Sequence, residues 1–82
     1  MREAWKAVRG ELQQEVARAD FDTWVRSVEV LDVRSKTIVL GAANEYARAW
    51  LDANLSAKVE QSLEETLGIP VQVRFMLVDE LL

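Results

Sequence analysis

Apolar residues in the opening stretch, REAWKAVRGELQQEVARA, fall at Trp5, Val8, Leu12 and Val16. Steps of three and four, at about 100° per residue, keep them within roughly 80° of one another and predict an amphipathic helix. Gly10 sits inside it at a cost of about 1 kcal/mol relative to alanine, and close packing by a neighbour is the expected reason. Asp20 predicts the N-cap of a second, short helix, FDTWVRS, because its carboxylate can accept first-turn amides, and Asp22 adds charge at the same positive end. Phe21, Trp24 and Val25 would then face the core.

From Val28 the period changes to two. Val28 and Val30 alternate with Glu29, a turn lies near Ser35, and TIVLGA places Ile38 and Leu40 on one face. These read as an antiparallel hairpin. The extra apolar residue in VLDV predicts a bulge or an early strand end near Leu31. Asn44 then reads as an N-cap backed by Glu45. The apolar positions Ala47, Leu51, Leu55, Val59 and Leu63 carry a helical pattern to Leu67, where Gly68 and Pro70 stop it. Spacing by strict fours drifts about 40° per turn, so this stretch either wraps its neighbours as one long helix or kinks near Asn54, itself a candidate cap. Last, VQVRFMLV sets Val71, Val73, Phe75 and Leu77 against Gln72 and Arg74, a strand with one buried face. The order α-α-β-β-α-β predicts an α+β domain with a three-stranded sheet and helices packed on one face. The domain is expected over residues 1–78, with 79–82 beginning a linker.

Eighty-two residues hold one small core, and half of them are hydrophobic against 29% charged, ordinary globular composition. The net charge of -4 opposes nucleic acid, a polyanion, rather than gathering it. With neither cysteine nor histidine, disulfides, thiolate metal sites and the commonest general base are excluded. No apolar run reaches the ~18 residues of a spanning helix, nor is there a signal-peptide core, so a soluble, cytoplasmic protein is expected.

Candidate chemistry is sparse. The carboxylates of QSLEETLG and ELQQE fall on polar helix sides, where no pocket to raise an acid pKa is implied. Ser27, Ser35, Ser56 and Ser62 have no histidine to activate them, and three isolated glycines make no phosphate-cradling loop. The element order is also that of KH-like folds, but the GxxG loop that clamps a nucleic acid backbone is missing. Catalysis is not expected, and no metal or cofactor is implied.

Surface recognition remains. On a helical wheel Leu51 and Leu55 lie about 140° and 180° from Tyr46, and Trp50 only about 40° from it. Tyr46 should therefore point away from the core, either as an unremarkable exposed ring or as an anchor for a partner, since tyrosine offers large area at low entropic cost. Trp5 lies on its helix's apolar stripe, which makes it core, yet in the first turn, where a ring can overhang the core's edge.

Taken together, W5…F21…W24, then L40…A42…N44…Y46…W50-L51, then G68 and VQVRF resemble the N-terminal domain of the bacterial replication initiator DnaA. The resemblance spans nearly the whole chain, and its most specific part is the tryptophan framework. Ala43 stands where the family usually has proline, and Gly41 lies where an aromatic or β-branched residue is common. The resemblance implies a KH-like protein-interaction module with no cofactor of its own, ATP and duplex DNA being handled by domains this chain does not contain. It implies self-association through Trp5, contacts with the replicative helicase or initiation regulators through Asp20, Phe21 and Tyr46, and a weak single-stranded DNA contact at Asn44. On this reading the chain is a fragment of a longer, bacterial, nucleoid-associated initiator; the rival readings are a single-stranded nucleic acid binder and a stand-alone regulator of initiation.

Overall fold

A computed structural model describes the backbone of residues 2–81 and the side chains of residues 2–79. The first amphipathic pattern forms α1 (Arg2–Glu15), with Ala4, Trp5, Val8 and Leu12 buried. Val16 packs half-buried against the same core. Gly10 corrects the expectation placed on it: it is exposed, and a side chain there would meet nothing within 4 Å. No neighbour needs the space, so the glycine weakens α1 without a packing return.

The second helical segment starts earlier than its carboxylate suggested. It opens as α2 (Arg18–Asp20) and continues without a break into a π-helical turn over Phe21–Val25, closed by the Arg26 N–H donating to the Phe21 carbonyl at 2.9 Å. Asp20 is therefore inside the helix, with φ −69° and ψ −40°, and its side chain makes no cap hydrogen bond. The wider π turn brings Phe21 and Val25 to the core side.

Strands β1 (Glu29–Arg34) and β2 (Thr37–Ala42) pair antiparallel, with Ser35 at φ 55° in their two-residue connection. The register slips between Val30 and Asp32, placing the expected bulge at Leu31. By skipping one residue, the bulge lets Val33 pair with Ile38 on the same face on which Val30 pairs with Leu40. The Leu31 side chain folds over Gly41, where an added Cβ would lie 2.8 Å from its Cγ. The close approach that a glycine serves is thus at position 41, not 10.

The long apolar pattern after Asn44 is two helices, α3 (Glu45–Asn54) and α4 (Ser56–Leu67), hinged at Leu55 with φ −124° and ψ −6°. Leu55 nevertheless donates to Leu51 and accepts from Val59, so the break costs no backbone hydrogen bond at that residue. Asn54 does not cap α4; its amide donates back to the Trp50 carbonyl at 2.9 Å. The drift of the apolar stripe is absorbed by this bend rather than by supercoiling, and the order becomes α-α-β-β-α-α-β. Gly68 ends α4 in the left-handed conformation, φ 72°, as its sequence position implied.

Strand β3 (Gln72–Leu77) joins β2 in parallel, giving the sheet order β1-β2-β3. The parallel pairing follows from the α3–α4 crossover between the two strands. Ile38, Leu40, Ala42, Val71 and Phe75 pack with α1, α3 and α4 residues in one core. The expected linker at 79–82 begins inside a short 3-10 turn, Val78–Leu81, and its last residue lies outside the described residues, as does Met1 of the expected domain.

Carboxylates accept outward-facing amides on both sides of the sheet. Glu64 and Glu60, one turn apart on α4, accept the N–H groups of Val71 at 3.1 Å and Val73 at 3.2 Å, which point away from β2. On the other edge Asp32 accepts the Val33 N–H at 2.8 Å. The expectation that the carboxylates of QSLEETLG are merely solvated thus fails for Glu64.

Candidate interaction surface

The start of α3 fixes what the surface displays. Asn44 is extended (φ −157°, ψ 175°), and its Oδ1 accepts the Ala47 N–H at 2.8 Å, as an N-cap should. Ala47 and Leu51 turn into the core from this cap, at 2% and 1% exposure. Tyr46, one residue before Ala47, is thrown outward and is 81% exposed. It is the most exposed large hydrophobic side chain among the described residues.

Its surroundings are polar and ordered by charge. Arg48 is clamped between Glu45, one turn back, and Asp52, one turn on at 3.7 Å. Sequence reasoning missed this triad, although its spacing of three and four on one helix face is a readable signal. Trp50 is half-buried and stacks on Trp24 with ring centroids 5.8 Å apart and 18° between planes. That contact docks α3 against the π-helical turn.

The other predicted site residues divide. Asp20 is partly exposed and its carboxylate has no hydrogen bond or ion pair among the described residues, so it is displayed rather than used as a cap. It lies one turn before Trp24 as Tyr46 lies one turn before Trp50. The stacked rings therefore link the helices that carry both. Phe21 is not displayed: at 6% exposure it is core, flooring a shallow concavity whose rim is Gln13, Arg18, Asp22 and Arg26. Nor does Trp5 overhang. Its ring is 4% exposed, and its indole N–H donates to the Val28 carbonyl at 3.0 Å. A buried Trp usually needs such a partner, and here it ties α1 to the entry of β1.

Chemically, this surface can bind. The described residues include no buried polar or charged residue and no group of three or more side chains placed to hold a metal ion. None of the described helices is long and apolar enough to cross a membrane.

The sequence model of the DnaA N-terminal domain matches residues 2–65, well over half of the 82 residues. The chain belongs to that family. The match runs from α1 through most of α4, so it includes the capped start of α3, the tryptophan pair and Asp20, while β3 lies beyond it. DnaA N-terminal domains are non-catalytic parts of a replication initiator, and they act in protein-protein interaction and self-association.

Proposed function

We propose that this DnaA N-terminal domain recruits the replicative helicase, or regulators of initiation, through the face carrying Tyr46 and Asp20. The observation that carries the reading is Tyr46 at 81% exposure on a helix start held by the Asn44 cap. The ring costs the fold little to display and offers a partner a rigid apolar anchor, with the free Asp20 carboxylate supplying charge specificity. Phe21 contributes from beneath, by fixing the π-helical turn that carries Trp24 and directly follows Asp20. The Asn44 amide nitrogen, left over from capping, suits at most a weak contact to single-stranded DNA. The site is the bacterial cytoplasm, at the origin.

Self-association belongs to α1. Its outward stripe of Glu3, Ala7, Gly10 and Gln14 is exposed, and the empty space at Gly10 lets another helix approach closely. Trp5 acts below that stripe, holding α1 on the core through the Val28 bond. Pairing of this kind is weak in dilute solution and becomes appreciable when many copies share one stretch of DNA.

The deciding experiment is capture of purified replicative helicase on immobilised domain. Tyr46→Ala should abolish most of the capture while the circular dichroism melt stays within about 2 °C of the parent, consistent with a surface change. Undiminished capture by a folded Tyr46→Ala protein would end this reading.

A further inference from the structure

A second surface lies on the opposite flank of α1. Arg2, Lys6 and Arg9 fall within roughly 60° of one another around the helix, and none makes an ion pair or hydrogen bond among the described residues. Arg18, Arg34, Arg48 and Lys58 all have carboxylate partners, so the omission is not general in this acidic chain. Arg26, Lys36 and Arg74 are also without a carboxylate partner among the described residues but are scattered over different parts of the chain. The three α1 cations, outnumbering the single carboxylate of Glu29, rim a groove floored by Trp5, Val30 and Leu31. An adjoining concavity shares Arg2, Val30 and Leu31 and continues to Val33, which is 38% exposed. The result is a cationic rail beside an apolar track.

We propose that this groove between α1 and β1 binds an acidic, amphipathic helical segment of a partner protein, its carboxylates on Arg2, Lys6 and Arg9 and its apolar side chains on Val30, Leu31 and Val33. Charge complementarity carries the choice of occupant. Nucleic acid fits poorly: Trp5 is too buried to stack on a base. An added β-strand fits poorly too, because the Leu31 bulge breaks the edge and Asp32 already occupies the Val33 N–H. A helix, which recognises through side chains alone, meets neither obstacle. The groove lies on other elements than Tyr46, and it meets the exposed stripe of α1 only at Glu3, in the adjoining concavity.

The test is a nuclear magnetic resonance titration of the isotope-labelled 82-residue chain with a synthetic amphipathic helical peptide of glutamate and leucine. A glutamine-for-glutamate peptide and an oligothymidine serve as competitors in kind. The acidic peptide should shift the amides of Lys6, Arg9, Val30 and Leu31 and the Trp5 indole N–H. Lys6→Glu combined with Arg9→Glu, at an exposed and a partly exposed residue, should weaken binding about tenfold or more with unchanged circular dichroism. The glutamine peptide should lose affinity similarly. Shifts elsewhere, no shifts, or equal binding of the glutamine peptide would overturn the proposal. So would tighter binding of oligothymidine at the same residues, or groove shifts that follow protein concentration without any peptide, which would assign the groove to a second copy.

Discussion

Trp24 and Trp50, twenty-six residues apart in sequence, lie ring on ring with centroids 5.8 Å apart. The pair is the joint between the π-helical turn and α3, and each ring also packs half-buried against the core. Offset aromatic pairs contribute about 0.5–1.5 kcal/mol beyond the area they bury. A double-mutant cycle of Trp24→Leu and Trp50→Leu, followed by urea denaturation, should return a coupling energy of that size. Additive losses would show that each ring packs on the core independently.

On the proposed function, the same joint would tie recognition to folding. Trp50→Leu loosens the seating of α3, so it should reduce helicase capture as well as the melting temperature, whereas Tyr46→Ala reduces capture alone. Asn44→Ala falls between them: loss of the cap should cost about 1 kcal/mol, read as a lower urea midpoint. A capture assay on all three variants at matched folded fraction separates display of the ring from support of the helix.

Two glycines with empty surroundings should respond in opposite directions. Gly10→Ala should stabilise the domain by about 1 kcal/mol, because the backbone is helical and exposed and nothing lies within 4 Å. Gly68→Ala should destabilise it by about 1 kcal/mol, since φ 72° is unfavourable for any residue with a Cβ. Thermal melts of the two variants check both signs at once.

Gly41 presents a third situation, in which space rather than conformation decides. Gly41→Ala drives a methyl into Leu31, 2.8 Å from its Cγ, and should cost about 1–3 kcal/mol. Truncating the obstacle should return part of that loss, so Gly41→Ala with Leu31→Ala should be more stable than the sum of the two single changes. Strict additivity in urea unfolding would show that the bulge side chain moves aside freely.

Much of this architecture could be read from periodicity. The α1 stripe, the hairpin, the Leu31 bulge, the Asn44 cap, the Gly68 stop and the outward Tyr46 all follow from local rules that need only the neighbouring residues. What resisted reading depends on partners distant in the chain. Asp20 has the chemistry of a cap, but the helix begins at Arg18 and carries it inside. Trp5 has the position of an overhanging ring, but the Val28 carbonyl, twenty-three residues on, draws it in. Gly10 and Gly41 look alike in sequence, and only the fold over of Leu31 distinguishes them. The helix break falls at Leu55, beside the expected kink at Asn54, but strict fours left open whether the helix would bend or wrap, and the capping role expected of Asn54 is not taken up.

The carboxylates of Glu60, Glu64 and Asp32 on the sheet's outer amides have a consequence for behaviour in a crowd. An initiator works by being gathered in many copies, the circumstance in which bare strand edges stitch neighbouring molecules into fibrils. With those three amides already occupied, each edge has fewer free donors to offer a neighbouring strand. On the proposed function, this is what would let the protein be concentrated at one place and afterwards dispersed.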